Sequence, residues 1–208
     1  MNARHDPAPL DLPLPPESRD SRRRQVGEIE LRDAAVQKFN QLLAQIAPNA
    51  PRVSADQLVT LARWLQEQPP EHATAILSER LARAEHLRRM LNDSDWDVGV
   101  DTRERARMLI SYLQQVDDLI PDTQPLLGHL DDALLVELAW PAFADETVDY
   151  GDFCRFRADE RPRGTPRERR LAWETACLAE AALLQQRRQV RARHYVGGEP
   201  LQALFRVS

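Results

Sequence analysis

Prolines divide this chain into pieces, and most of the pieces between them carry a helical rhythm. Pro48 and Pro51, Pro69 and Pro70, Pro121 and Pro125, Pro141 and Pro166 each fall where a run of apolar residues at threes and fours breaks off or begins. A proline inside a helix removes a hydrogen bond and clashes with the preceding turn, so these positions bound helices rather than lie within them. Fifteen prolines stand against only seven glycines. No run of alternating β-branched and aromatic residues competes with the helical pattern, so no strand is needed. The expected fold is all-α: an irregular bundle of about six helices behind a disordered, proline-rich N-terminus.

The spacing predicts where each helix lies. Residues 1–27 read as a disordered Pro/Arg-rich tail, with Leu10, Leu12 and Leu14 as its only apolar run. A first helix is expected over about 28–46, through Leu31, Ala35, Phe39, Leu42 and Ile46. A second opens at Ser54 with Gln57 as its capping-box partner. A third follows Pro70 and carries Leu77, Leu81, Ala84, Leu87 and Leu91. A loop around Trp96 leads to a helix over about 102–119 and another over about 125–140. Residues 142–164 read as irregular or a short helix. Thr165, Pro166 and Glu168 then begin the clearest helix in the chain, expected to run to about His194. Residues 28–100 form an N-terminal helical region, and residues 101–208 a helical hairpin with a long last helix, packed with it as one domain.

Charge is unevenly spread. No Lys or Arg lies between Arg107 and Arg155, an interval with ten acidic residues, whereas residues 155–193 hold eleven Arg against five acids. Blocks of opposite sign most simply face each other or keep a surface solvated. The Arg-rich stretch has no helix-turn-helix, zinc-finger or aromatic-basic motif beside it, and the chain is net acidic at −5, so nucleic acid is not the expected partner. A protein partner is expected, and an anionic membrane surface is the alternative. Cys154 and Cys177 lack ligand spacing and read as reduced thiols. No apolar run approaches a membrane span, and no hydrophobic segment follows Arg22-Arg23-Arg24. The expected location is cytoplasmic, or peripheral to the inner membrane.

The informative segment is Ser111–Trp140, SYLQQVDDLIPDTQPLLGHLDDALLVELAW. On an ideal helix from Pro125, Leu127, Leu130, Leu134, Leu135 and Leu138 share one arc. Asp131 falls inside that arc, Asp132 lies to one side and His129 points nearly opposite. A carboxylate in an apolar face must be hydrogen-bonded, ion-paired, protonated or metal-bound. The structural reading has Asp131 tying the joint together by accepting from backbone N–H groups or from Tyr112. The metal reading gathers Asp118, Asp122, Asp131 and Asp132 around a hard divalent cation. Arg105 is expected to pair with Glu137.

The order Asp118-Leu119-Ile120-Pro121-Asp122, then Pro125, Gly128, Asp131 and Asp132 resembles the core pattern of the YkvA-like family of bacterial proteins, domain of unknown function 1232. The likeness covers about residues 106–140, with Tyr112 where the family often has an aromatic. The chain departs from the family pattern at Val116, Asp117, Thr123 and Gln124. The resemblance implies no established reaction, but it treats the four acids as one unit. No P-loop, dinucleotide fingerprint, zincin or nucleophile-elbow motif is present. No catalytic residue and no cofactor are assigned. The first functional expectation is a non-enzymatic interaction or regulatory module. The alternatives are a divalent-metal-binding protein or metal-dependent hydrolase using the Asp cluster, and a peripheral membrane protein.

Overall fold

The computed structural model describes residues 24–26, 29–115 and 119–196. The fold is all-α, with seven α-helices among these residues and one two-residue antiparallel ladder, β1 (Gln25–Val26) with β2 (Ile29–Glu30). The ladder corrects two expectations. Part of the proposed tail, Arg24 to Val26, is paired, and Leu31 N donates to Arg24 O at 2.6 Å. The first helix therefore cannot start at Glu28. α1 (Asp33–Ile46) begins after Arg32, whose backbone is extended, and Arg24 closes the corner on Asp33 at 3.0 Å. The rest of the proposed tail, including Leu10, Leu12 and Leu14, lies outside the described residues.

The chain divides into two compact units, Met1–Gly151 and Asp152–Ser208. In the first, α1 buries Val36, Phe39, Leu43 and Ile46, one residue per turn on a single stripe. α2 (Ala55–Glu67) starts at the expected capping box: Ser54 Oγ accepts from Gln57 N, and the Gln57 side chain accepts from Ser54 N. The Asn40 amide fixes the connection between these helices by donating to Val53 O at 2.7 Å and accepting from Val53 N at 2.8 Å. α3 (Pro70–Asn92) has Pro70 in its first turn, where a missing N–H costs nothing. α4 (Val100–Tyr112) buries Ala106, Leu109 and Tyr112.

α5 (Leu130–Ala139) is the centre of this unit. Every residue from Leu130 to Val136 is buried, so it is covered on all sides rather than along a stripe, by α3, α1 and α4. A 3-10 turn (Trp140–Ala142) leads to α6 (Ala144–Glu160), a full helix where an irregular stretch or a short helix was expected. α6 is held by Phe143 and Tyr150, both buried. Tyr150 Oη donates to Asp93 Oδ2 at 3.1 Å, and Trp96 Nε1 donates to Glu146 Oε1 at 2.8 Å.

Glu137 does not pair with Arg105. It meets Arg80 Nε at 3.4 Å and Arg83 Nη1 at 3.2 Å, while Arg105 bonds within its own helix to Asp101 O and Thr102 Oγ1. Arg80 lies in the buried stripe of α3 with a side chain only 4% exposed, so its charge must be answered, and α5 supplies the answer. Glu137→Gln keeps an acceptor but removes the charge. Because Glu137 remains partly in water, the expected cost is about 2 kcal/mol, below that of a fully buried broken pair. Arg105→Ala should change stability little. Urea denaturation of the two variants checks both.

In the second unit, Phe153 and Trp173 pack edge to face with centroids 6.0 Å apart, and the Arg157 guanidinium sits 5.2 Å over the Phe153 ring. α7 (Pro166–Val196) begins at the predicted cap, with Glu168 N donating to Thr165 Oγ1 and Thr165 N donating to Glu168 Oε2. Thr165 N and, with it, the Thr165 hydroxyl donate to the Glu168 carboxylate and hold its carboxyl below the usual range. Leu171, Leu178, Leu183, Leu184 and Val190 are all exposed along α7. No helix among the described residues is long and apolar enough to cross a membrane.

Candidate metal centre

The joint between α4 and α5 is longer than the apolar spacing predicts. α4 stops at Tyr112 instead of near Leu119, and α5 starts at Leu130 instead of near Pro125. Between Pro121 and Leu130 the backbone winds into tight turns. Gln124 N donates to Pro121 O, Leu127 N to Pro125 O, and Gly128 N to Gln124 O at 3.0 Å. Leu126 takes a left-handed conformation, φ 65°. Gly128 lies directly against the backbone of Asp122: a Cβ there would stand 2.7 Å from the Asp122 Cα and carbonyl oxygen. Only glycine permits that approach. It folds the turn back so that Asp122 meets the start of α5.

Asp131 holds the other half of the joint. It is fully buried, and its Oδ2 accepts from Tyr112 Oη at 2.7 Å, Leu119 N at 3.2 Å and Ile120 N at 3.3 Å. Both partners expected from the sequence, Tyr112 and backbone N–H groups, are there. The bonds satisfy amides of two buried residues that no helix serves. Burial still raises the Asp131 carboxyl above its ordinary range, against the lowering effect of Tyr112 and the backbone donors.

Asp122, His129 and Asp132 form a second group. His129 Nδ1 lies 3.3 Å from Asp122 Oδ1 and 3.4 Å from Asp132 Oδ2, and one ligand atom from each residue falls within 4.8 Å of the others. His129 is the N-cap residue of α5, with φ −106° and ψ 17°, outside the helix proper. Its ring therefore turns toward Asp132, three residues on, instead of away from the acids as an ideal helix from Pro125 would direct it. A histidine three residues before an acid at a helix start was the available signal. Asp118 lies outside the described residues. Of the four acids proposed as a set, Asp122 and Asp132 share this group, and Asp131 adjoins it with one oxygen committed to the backbone.

The electrostatics are unbalanced. Asp132 is 3% exposed, and its Oδ1 has no hydrogen-bond partner; the Oδ1 of Asp131 is likewise buried without one, and that of Asp122 has the His129 contact at 3.3 Å. Among the described residues, His129 is the one basic side chain within ion-pair distance of Asp122 and Asp132. Burial first, and then the Asp131 charge, push the Asp132 carboxyl up to about 7, with the His129 hydrogen bond opposing. A buried carboxylate, Asp132, and a half-buried one, Asp122, facing one imidazole form a site that a divalent cation would complete.

Behind Tyr112, a cleft of about 290 Å³ is lined by Phe39, Leu42, Tyr112 and Leu119, with Lys38 and Gln115 at its edge. Among the described residues that line it, Lys38 is the one charged side chain. Searches of protein families, of curated proteins and of solved structures returned no match to this chain.

Proposed function

We propose that this chain is a non-enzymatic, YkvA-like regulatory module whose α4–α5 joint closes around a divalent cation. The observation that carries the reading is Asp132, a buried carboxylate with an unpartnered oxygen, facing Asp122 across a single imidazole. An ion there would tie the 121–128 turn to the first turn of α5, while Asp131 already ties residues 119 and 120 to the same helix. Two neighbouring carboxylates would then hold residues 119–128 against the start of α5. The apolar lining of the adjoining cleft, Phe39, Leu42 and Leu119, supports the reading as an interaction module. The exposed leucines of α7 support an interaction role for the second unit.

A thermal melt tests the proposal. In EDTA and then with each of Mg²⁺, Ca²⁺, Mn²⁺ and Zn²⁺, at least one ion at micromolar concentration should raise the wild-type midpoint. A ligand at a hundred times its Kd adds about 2.7 kcal/mol, or roughly 5–11 °C for a chain of this size. Asp132→Asn should show no such shift. If no ion moves the wild type, the acids are structural and the proposal fails.

A further inference from the structure

Resting on that cation reading, we infer that the ion is a borderline transition metal of the Zn²⁺ or Co²⁺ type, ligated by Asp122, His129 Nδ1 and Asp132. The donor set decides the class. Ca²⁺ takes six to eight oxygens and Mg²⁺ near-octahedral oxygen and water, whereas an imidazole nitrogen suits zinc, cobalt and their neighbours. Here the nitrogen is central: it stands 3.3 and 3.4 Å from the two carboxylates. Those separations are long for charge-assisted hydrogen bonds, which run ~2.7–2.9 Å. These two separations match the spacing of ligand atoms around a tetrahedral ion with bonds of ~2.0–2.1 Å, about 3.3 Å, and the two carboxylate oxygens lie within 4.8 Å of each other.

The acids alone would not make this a site. The independent observation is the Asp132 carboxylate, 3% exposed, with one oxygen toward His129 and the other unpartnered. Burial also sets the coordination. The Asp132 side chain closes the inner side, while the side chains of His129 and Asp122 are 56% and 30% exposed. Three protein ligands with an outer side open to water leave a position for solvent or an exchangeable ligand. All three come from residues 122–132, so the site is local. Its geometry depends on the close approach of Gly128 to Asp122. Ligation through Nδ1 requires the His129 proton to sit on Nε2.

Co²⁺ is the probe, because its visible absorption reports nitrogen ligation and low coordination number. Metal-free full-length chain without an affinity tag is titrated with Co²⁺, and the complex is challenged with Zn²⁺, Mg²⁺ and Ca²⁺. The expected result is saturable visible absorption at one equivalent, bleached by stoichiometric Zn²⁺ and unchanged by millimolar Mg²⁺ or Ca²⁺. His129→Ala and His129→Gln should keep the wild-type far-UV spectrum and weaken Co²⁺ binding by about a hundredfold. Asp132→Asn should abolish the absorption. If Mg²⁺ or Ca²⁺ stabilises wild type and His129→Ala equally, the ion is a hard one: the inference is overturned and the cation module stands. Absorption surviving in His129→Ala and Asp132→Asn alike places the metal elsewhere and overturns the inference. If no ion of either class binds, both readings fall.

Discussion

Gly128→Ala is expected to destabilise the chain by about 3 kcal/mol, at the upper end of the range for forcing a methyl group into filled space. The added Cβ would stand 2.7 Å from the Asp122 Cα, 2.7 Å from its carbonyl oxygen and 2.8 Å from its carbonyl carbon. All three are backbone atoms, so no side chain can rotate away and a turn of the main chain must move. That turn is held at both ends. Gly128 N is bonded to Gln124 O, and the next residue leads directly into buried α5. For a chain of this length the midpoint should fall by roughly 6–12 °C. A second effect separates this turn from an ordinary tight loop. Moving Asp122 away from Gly128 also moves it from His129, so the cation-induced rise in midpoint should shrink along with the baseline. Equal cation shifts in wild type and Gly128→Ala would mean that Asp122 is not a ligand.

How much of this was legible in the sequence depends on whether local chemistry or tertiary contact sets each feature. The starts of α2, α3 and α7 were legible because each carries its own signal: Ser54 with Gln57, Pro70 in the first turn, and Thr165 with Glu168. Asp131 was legible for a different reason. A carboxylate amid leucines demands partners, and Tyr112 was among the few groups within reach. The ends of the joint were not legible. Leu113, Leu126 and Leu127 continue the helical spacing, yet α4 ends at Tyr112, and Leu119 N and Ile120 N bond to the Asp131 side chain, a tertiary partner that spacing does not reveal. His129 was misplaced by the same error, since a helix begun five residues too early rotates it to the wrong side. The acids of α6 hid the aromatic pattern of Phe143, Tyr150 and Phe153 that makes it a full helix. The fate of Glu137 was decided by Arg80, an arginine inside an apolar stripe of a helix far away in sequence.

Asp132 should contribute to stability with a pH dependence opposite to that of a salt-bridged carboxylate. A carboxylate in a salt bridge has a lowered pKa and loses its contribution as pH falls. Asp132 is pushed up to about 7 from 3.8, first by burial and then by Asp131, so the folded chain holds a proton that the unfolded chain has released. Between these values the folded state binds more protons, and stability declines as pH rises from about 4 to about 7. Above about 7 both states are ionised and the loss is complete. A difference of about three units corresponds to up to about 4 kcal/mol. Asp131 is raised in the same direction and adds to the same slope. In EDTA, therefore, the wild-type midpoint should be lower at pH 8 than at pH 5. Asp132→Asn, which cannot ionise, should match wild type near pH 5 and exceed it near pH 8 by roughly 8–16 °C. A bound cation reverses this for the wild type alone, because it favours the ionised carboxylate that burial penalises. Saturating metal at pH 8 should recover most of the loss in wild type and leave Asp132→Asn where it was. If Asp132→Asn is instead less stable than wild type at pH 8 in EDTA, the carboxylate is satisfied by the protein itself and needs neither proton nor ion.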